Sequence, residues 1–218
     1  MQNIDKKNTN VVIIGSRGYV GKRLIETARQ KDDVHFNFYE FNTENYTAAD
    51  LFYKDWRHWT NSVQITPDYV INLGAMSDPT DKVLSIFFSY PLSCRFIGKY
   101  VEAMGAKLIH FSSYSPIKPT TFYGSSKQLG EKELIYKVPL ADHCILRYGG
   151  DENEEECPST ILKFQHDKSA KLFMNCYHDF VDVDDICEAV LSLMTKKWQP
   201  GEFELWDKER CKVLTGHV

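Results

Sequence analysis

The chain has 218 residues, of which 43% are hydrophobic and 13% aromatic, and its formal net charge is -4. This length and composition are typical of a globular protein with one domain and a small appendage. No block of like charge is longer than the acidic run DENEEE at residues 151–156, so the chain lacks the basic footprint of a nucleic-acid-binding protein.

The first 150 residues alternate between strand and helix patterns. NVVIIG at residues 10–15 predicts a buried parallel strand, and apolar residues at helical spacing follow at residues 19–31. Further strands are predicted at 34–42, 68–75, 106–113 and 142–149, and further helices at 47–59, 81–104 and 125–137. Because proline lacks an amide hydrogen, we expect the long helix to be broken or kinked at Pro91. This alternation predicts an α/β protein with a doubly wound parallel sheet.

Beyond Gly150 the pattern loosens. An acidic loop is followed by a predicted helix at 158–166, a short strand at 170–174, a helix at 182–197 and a strand at 201–207. We interpret residues 10–150 as the main domain and residues 151–218 as a small lobe that is interleaved with it.

The segment GSRGYVG lies directly between the first predicted strand and the first predicted helix. Glycines at this point allow a tight turn, close approach of the backbone to a pyrophosphate, and close packing of the helix on the sheet. The amide groups of the helix N-terminus also face the anion. The candidate cofactor residues here are Gly15, Arg17, Gly18, Tyr19, Val20 and Gly21. Leu73, Gly74 and Ala75, which end the strand at 68–75, complete the predicted cofactor site. Residues 10–150 are therefore predicted to be a dinucleotide-binding Rossmann domain, and residues 151–218 a small substrate-binding lobe.

Two residues give opposite indications about the cofactor. Glu40 follows the glycines by about 20 residues, where an acid can bind the ribose 2'-hydroxyl of NAD. Arg17 lies inside the glycine turn, where a guanidinium can bind the 2'-phosphate of NADP. Either residue can instead be an ordinary solvated side chain, so the sequence leaves NAD and NADP both open.

The pattern Tyr-x-x-x-Lys occurs twice in the last part of the predicted Rossmann domain. The pair Tyr114 and Lys118 encloses Pro116, so this segment cannot form a regular helix. The pair Tyr123 and Lys127 lies at a predicted helix start without proline, where residues four apart are neighbours. Only the second pair therefore has the spacing and the local structure to act together.

A phenol with a lysine beside it can transfer protons near neutral pH, because the ammonium favours the phenolate. We therefore predict that Tyr123 is the acid or base and that Lys127 tunes it. Ser113, at the end of the strand at 106–113, is predicted to hydrogen-bond the substrate oxygen at the ligand-binding edge of the sheet. The alternatives are that Ser113 only begins a loop and that Tyr123 only begins a helix.

Several of these segments resemble one family when they are taken in order. VVIIGSRGYVG, YVINLGA, IHFSS, YGSSK, LRYGG and HDFVDVDDICEAV are similar to segments of extended short-chain dehydrogenase/reductases, a group of NAD(P)-dependent nucleotide-sugar epimerases, dehydratases and reductases. The glycine turn is especially similar to that of GDP-fucose synthase-like reductases, which also have an arginine there and use NADPH.

The resemblance implies a Rossmann-type fold, a nucleotide-sugar substrate, a homodimer and an NAD(P)-dependent reaction at a 4-keto or 4-hydroxyl group. Three departures stand out. Ser113 and Tyr123 are only ten positions apart, the lobe is expected to be smaller than the family's, and SSYSP lacks the acidic pair that 4,6-dehydratases carry. A 4-ketoreductase or 4-epimerase is thus favoured over a dehydratase. The competing interpretation is a regulatory or scaffolding protein that binds the cofactor without turnover.

The remaining expectations concern location and metals. The first ten residues are polar and no apolar run approaches the roughly 20 residues that cross a bilayer, so we expect a cytoplasmic protein without membrane contact. The six cysteines form no CxxC pair and no histidine cluster at ligand spacing, so we expect reduced thiols and no metal. No role is assigned to His110, Cys176 or His178.

Overall fold

A computed structural model describes residues 7–32, 34–75, 83–113, 122–148 and 182–205. The strands in these ranges are β1 (Lys7–Ile14), β2 (Val34–Phe41), β3 (Tyr69–Asn72), β4 (Lys107–Ser113), β5 (Asp142–Tyr148) and β6 (Gly201–Leu205). The α-helices are α1 (Tyr19–Arg29), α2 (Ala49–Val63), α3 (Val83–Met104), α4 (Phe122–Lys137) and α5 (Val183–Thr195). A short 3-10 helix at Asn45–Thr47 precedes α2.

The six strands form one parallel sheet in the order β2-β1-β3-β4-β5-β6. The predicted fold class, an α/β doubly wound parallel sheet, is confirmed. The strand order reverses at β1, because β2 lies on one side of it and β3 on the other. Open α/β sheets bind ligands at such a point, in the crevice beyond the carboxyl ends of the strands.

Helices cover both faces of the sheet, which is why its central strands are unbroken apolar runs. Val11, Val12, Ile13 and Ile14 of β1 are all fully buried. Alternate residues of the strands point to opposite faces. One face packs against α1 and α5, and the other packs against α2, α3 and α4.

α3 is not broken at Pro91, so that alternative of the prediction is wrong, whereas a kink there stays a prediction. α3 continues through Pro91 as one helix of 22 residues. Proline removes one backbone hydrogen bond and crowds the preceding turn, but α3 packs along α4 over much of its length, and this packing holds the helix together across the missing bond. α4 begins at Phe122, three residues before the predicted start, so Tyr123 lies in its first turn.

Residues 182–205 contribute α5 and β6 to the sheet domain, with β6 paired in parallel with β5. The boundary of the substrate lobe stays a prediction. The predicted helix at 158–166 and strand at 170–174 lie outside the described residues, as do Tyr114, Lys118, Cys176 and His178. Among the helices that the structure describes, none is long and apolar enough to span a bilayer.

Candidate active site

The glycine turn lies at the reversal of strand order and contacts the end of β3. Gly15 has φ +84, a conformation that side-chain-bearing residues rarely adopt. Its amide donates to the Phe41 carbonyl at 3.0 Å, and a Cβ atom on Gly15 would lie 3.2 Å from the Gly74 nitrogen. The turn therefore brings β1, β2 and β3 together at one edge of the sheet.

The N-terminus of α1 opens directly from this turn. Gly18 is the N-cap residue, no side chain caps the helix, and no acidic residue occupies its first turn. A Cβ atom on Gly21 would lie 2.7 Å from the Gly15 carbonyl oxygen, so the helix can start this close to the strand only with glycine here. α1 begins with Tyr19 and Val20. The first amides of the helix lack intrahelical acceptors and lie at the positive end of the helix dipole.

Ser16 and Asn42, which lie outside the predicted cofactor site, connect the glycine turn to the end of β2. The Ser16 hydroxyl donates to Glu40 Oε2 at 2.5 Å, and Asn42 Nδ2 donates to the Ser16 oxygen at 2.8 Å. The amide of Arg17 donates to Asn42 Oδ1 at 3.2 Å. Glu40 is thus held against the glycine turn, whereas the Arg17 side chain is exposed.

The end of β3 forms the floor of the same crevice. The Leu73 amide donates to the Ile14 carbonyl at 3.0 Å, and the Gly74 amide donates to Asn72 Oδ1 at 3.1 Å. The Tyr46 hydroxyl occupies the position of a side chain on Gly74, since a Cβ atom there would lie 1.8 Å from it. That hydroxyl is buried without a partner among the described residues, and burial raises the pKa of Tyr46 well above its usual value. Ala75 follows, half-buried.

Tyr123 and Lys127 lie one turn apart at the start of α4. Tyr123 is half-buried, whereas Lys127 is only 4% exposed. The Lys127 Nζ atom lies 5.7 Å from the centroid of the Tyr123 ring. It donates to the Tyr90 hydroxyl at 2.9 Å and to the Phe111 carbonyl at 3.4 Å. Burial lowers the pKa of Lys127 to about 8.

The two serines at the end of β4 point to opposite faces of the sheet. Ser113 is the last residue of the strand and is half-buried. Ser112 shares its face with Leu108, which packs against α3 and α4. The Ser112 hydroxyl is buried without a hydrogen-bond partner in the described part of the chain. The role predicted for Ser113 stays a prediction.

An ion pair between a half-buried arginine and a buried glutamate holds α4 on the sheet. Arg147 of β5 binds Glu131 of α4 through two bonds, from Nε at 2.9 Å and from Nη2 at 2.7 Å, and Arg147 also contacts Glu202 of β6. Two parallel bonds fix the relative orientation of both groups. Since Glu131 lies one turn after Lys127, this pair fixes the part of α4 that carries the candidate catalytic residues.

Three polar residues outside the predicted site extend from Lys127 into the core. Tyr90, His110 and Asn72 are each at most 3% exposed. The Tyr90 hydroxyl lies 3.5 Å from His110 Nε2, and His110 Nδ1 lies 3.0 Å from Asn72 Nδ2. The sequence does contain a signal for two of them, because the alternation of β3 and β4 places Asn72 and His110 at buried positions beside Val70 and Leu108.

No family model matches the chain, and no curated protein is similar to it in sequence. Solved structures are similar in fold. An ADP-L-glycero-D-manno-heptose-6-epimerase from Helicobacter pylori gives a TM-score of 0.71 at 18% identity, over 100% of this chain and 85% of that one. A dTDP-4-dehydrorhamnose reductase from Bacillus anthracis, solved with NADP, gives a TM-score of 0.65 at 15% identity, over 98% of this chain and 82% of that one.

A third similar structure is the enzyme WbmG from Bordetella bronchiseptica, solved with NAD, with a TM-score of 0.64 at 16% identity over 100% of this chain and 80% of that one. The chain has the fold of extended short-chain dehydrogenase/reductases. The resemblance that the sequence motifs indicate is therefore confirmed at the level of the fold. At these identities the likeness assigns no reaction, substrate or cofactor to this chain.

Proposed function

We propose that this protein is an NAD(P)-dependent oxidoreductase or epimerase that acts on the 4-keto or 4-hydroxyl group of a nucleotide sugar. One observation carries the proposal: a buried lysine ammonium lies one helical turn after Tyr123, 5.7 Å from its ring. α4 follows β4, whose carboxyl end lies at the same edge of the sheet as the glycine turn. The proposed reaction needs a proton donor, which Tyr123 would supply, and a dinucleotide-binding site, which the glycine turn would supply.

The glycine turn fits a dinucleotide. Its glycines leave backbone rather than side chains at the start of α1, and the uncapped amides there suit a pyrophosphate. Gly15, Gly18, Tyr19, Val20 and Gly21 would hold the pyrophosphate. Leu73, Gly74 and Ala75 would line the crevice, and Glu40 or Arg17 would contact the adenosine ribose or its phosphate. The bound cofactor supplies or accepts the hydride.

The chain's own residues supply the proton transfer and the orientation of the substrate. Tyr123 would give a proton to the substrate oxygen, or take one from it, as a positioned acid or base. The charge of Lys127 favours the phenolate form of Tyr123, and Lys127 would also bind the nicotinamide ribose. Ser113 would donate a hydrogen bond to the same substrate oxygen.

The structural neighbours support the general class. Two of them are named as a reductase and an epimerase of sugar nucleotides, and WbmG has also been solved with NAD and UDP, at a TM-score of 0.60 and 18% identity over 92% of this chain and 73% of that one. The sequence SSYSP favours reduction or epimerisation over dehydration, because it lacks an acidic pair to eliminate water.

A panel of 4-keto and 4-hydroxy sugar nucleotides tests the proposal. We expect at least one of them to change the absorbance of the reduced or oxidised cofactor with turnover, and to change the fluorescence of the bound reduced cofactor. A protein that binds cofactor and ignores every sugar nucleotide would instead be a regulatory or scaffolding protein with this fold.

We further propose that the protein is a homodimer, since the family's counterparts of α3 and α4 often pack as a four-helix interface. α3 and α4 pack closely against each other, and near the end of α4 Tyr136 and Leu140 are 70% and 80% exposed. Light scattering at micromolar concentration should therefore give about twice the chain mass of 25.3 kDa. A mass equal to that of one chain would exclude the dimer.

A further inference from the structure

The Lys127 ammonium has a phenol as its nearest hydrogen-bond acceptor in the described structure. We propose that Tyr90 is a positioning residue for the Tyr123–Lys127 pair, holding the ammonium at the end of a buried hydrogen-bond chain that is anchored on the backbone of β3. This inference rests on the proposed function for its catalytic consequence. Its structural part, the hold of Tyr90 on Lys127, can be tested without substrate or cofactor.

The chain of hydrogen bonds has a defined direction. Because Asn72 Oδ1 accepts from the Gly74 amide at 3.1 Å, the Asn72 amide nitrogen faces His110 and donates to Nδ1 at 3.0 Å. Burial and nearby positive charge hold the pKa of His110 well below its usual value, so the ring is neutral. A neutral ring that accepts at Nδ1 carries its proton on Nε2. That proton faces the Tyr90 oxygen at 3.5 Å, at the outer limit of hydrogen-bond distance.

The Tyr90 hydroxyl has a polar neighbour for each of its bonding positions. Its oxygen has two acceptor positions, one facing the Lys127 ammonium at 2.9 Å and the other facing His110. Its own hydrogen lies within reach of the Cys94 thiol, one helical turn later on α3. These contacts leave the hydroxyl few alternative arrangements, so it restrains the position of the ammonium.

Packing keeps the Tyr90 ring in position. Tyr90 is 3% exposed, and a Cβ atom on Gly130 would lie 2.8 Å from its ring carbon Cε1. α3 can thus approach α4 this closely because residue 130 has no side chain. The Lys127 Nζ atom also lies 4.6 Å from the centroid of the Tyr90 ring, so the ring face attracts the same ammonium that the hydroxyl binds.

A neutral acceptor suits the role that we assign to Lys127. A carboxylate in the place of Tyr90 would neutralise the ammonium and weaken its effect on Tyr123. The other titratable groups that face Lys127 are Cys94 on α3, His110 on β4, and Tyr123 and Glu131 on α4. Glu131 is tied to Arg147. The charge of Lys127 therefore remains available to the phenol of Tyr123.

Tyr90→Phe removes the acceptor and keeps the ring, and Tyr69→Phe is the matched control. Tyr69 is also buried and its hydroxyl donates to the Met194 carbonyl at 3.2 Å, but β3 places it at the amino end of the sheet, away from the site. Each variant loses one buried hydroxyl, which has one hydrogen bond in Tyr69 and contacts to three groups in Tyr90, so both should lose thermal stability, Tyr90→Phe somewhat more. Only Tyr90→Phe removes a bond that favours the charged form of Lys127.

The decisive measurement is the pH titration of Lys127 in the free protein, followed by NMR of 13C-labelled lysine with the signal assigned by Lys127→Arg. We expect the midpoint to fall by about one unit in Tyr90→Phe and to stay unchanged in Tyr69→Phe. Tyr90→Gln, which restores an acceptor oxygen, should return the midpoint toward the wild-type value. Equal midpoints in Tyr90→Phe and Tyr69→Phe would overturn the proposal.

The kinetic readout separates this inference from the proposed function. With a confirmed substrate, Tyr90→Phe should lower kcat about tenfold with little change in KM, and the alkaline limb of the rate profile should move to lower pH. If no sugar nucleotide is turned over but the Lys127 midpoint still moves, the proposed function is wrong and the hold of Tyr90 on Lys127 stands. An unchanged kcat in Tyr90→Phe would overturn its positioning role.

Discussion

The two faces of the sheet are built from different kinds of side chain. The face that packs against α1 and α5 is mainly aliphatic, with Leu24, Ile71, Leu146 and Leu191 among its fully buried residues. The face that packs against α2, α3 and α4 carries an aromatic cluster around Phe41, in which the ring centroids of Phe41 and Trp56 lie 5.1 Å apart. Only the second face also carries the buried chain of Lys127, Tyr90, His110 and Asn72.

This difference in composition indicates that the two faces have different roles, one in stability and the other in the proposed reaction. A polar group without a partner costs free energy when it is buried, whereas an aliphatic side chain gains free energy there. Asn72 and His110 are hydrogen-bonded, and a buried polar pair of this kind adds little more to stability than well-packed aliphatic side chains would, so stability alone does not require polar residues at these positions. We interpret the α1 and α5 face as scaffold, and the α3 and α4 face as the one that carries the proposed proton transfer.

The largest expected effect tests the polar face directly. Tyr123→Phe removes one hydroxyl and should lower turnover by at least 10²- to 10⁴-fold, the contribution of a positioned acid or base. Cofactor binding should stay nearly intact, as measured by the fluorescence of the bound reduced cofactor.

The second Tyr-x-x-x-Lys match provides the control for this variant. Tyr114→Phe should change turnover far less, because Pro116 lies between Tyr114 and Lys118 and the sequence therefore predicts no regular helix that would pair them. If Tyr123→Phe retains turnover within a factor of a few, the segment at residues 122–131 is only the start of a helix and the proposed mechanism is wrong.

The next effect concerns the cost of burying a charge on the polar face. The pKa of Lys127 is about 8 in the folded protein, against an ordinary value of 10.5. The folded protein thus releases this proton at lower pH than the unfolded chain, so stability rises with pH between about 8 and 10.5. Relative to Lys127→Met, the free energy of unfolding of the wild type should rise by about 3 kcal/mol over this window.

Urea denaturation at a series of pH values measures this difference. Both proteins contain Tyr90 and Cys94, so their titration largely cancels in the comparison. The same variant should also turn over more slowly and bind cofactor more weakly. A difference in stability that stays constant from pH 7 to pH 10.5 would mean that Lys127 titrates as an exposed lysine does.

The sequence predicted the scaffold well because its signals are local. The unbroken apolar run in β1 and the turn around Gly15 each reflect a requirement of neighbouring residues in the chain. The parallel sheet follows from the alternation of strands and helices, because parallel strands need crossover connections. The helix is not broken at Pro91, because the tertiary packing of α3 on α4 outweighs the local penalty of the proline.

The polar chain could not be predicted in the same way. Tyr90 has no local signal, since a tyrosine before a proline in an apolar helix looks like ordinary core. Its contact with Lys127 spans 37 positions and depends on the close approach of α3 and α4 at Gly130. Ser16 was likewise missed, because its bond to Glu40 depends on the register of β1 with β2.

A smaller effect is expected at the glycine turn, which lies at the edge of the sheet rather than on either face. Arg17→Ala should weaken NADPH binding by about 1 to 3 kcal/mol, the loss expected for a charged hydrogen bond, and should leave NADH binding nearly unchanged. We expect the wild type to accept both cofactors, because Glu40 and Arg17 favour different ones. Calorimetric titration with each reduced cofactor measures both affinities. Equal weakening of NADH and NADPH would show that Arg17 does not contact the 2'-phosphate.

The smallest effect is expected on the outer surface of the scaffold face. Lys31 of the turn after α1 binds both carboxylate oxygens of Glu188 on α5 at 2.8 Å, but both side chains are partly exposed. Water and salt screen such pairs, and side-chain entropy opposes them, so their coupling is usually about 0.2 to 1 kcal/mol.

A double-mutant cycle of Lys31→Met and Glu188→Gln, followed by urea denaturation, measures this coupling. We expect a value below about 1 kcal/mol that shrinks further in 1 M salt, with turnover unchanged in all three variants. A loss of turnover comparable with that of Lys127→Met would show that the α1 and α5 face takes part in the chemistry. The division between a supporting face and a reactive face would then be wrong.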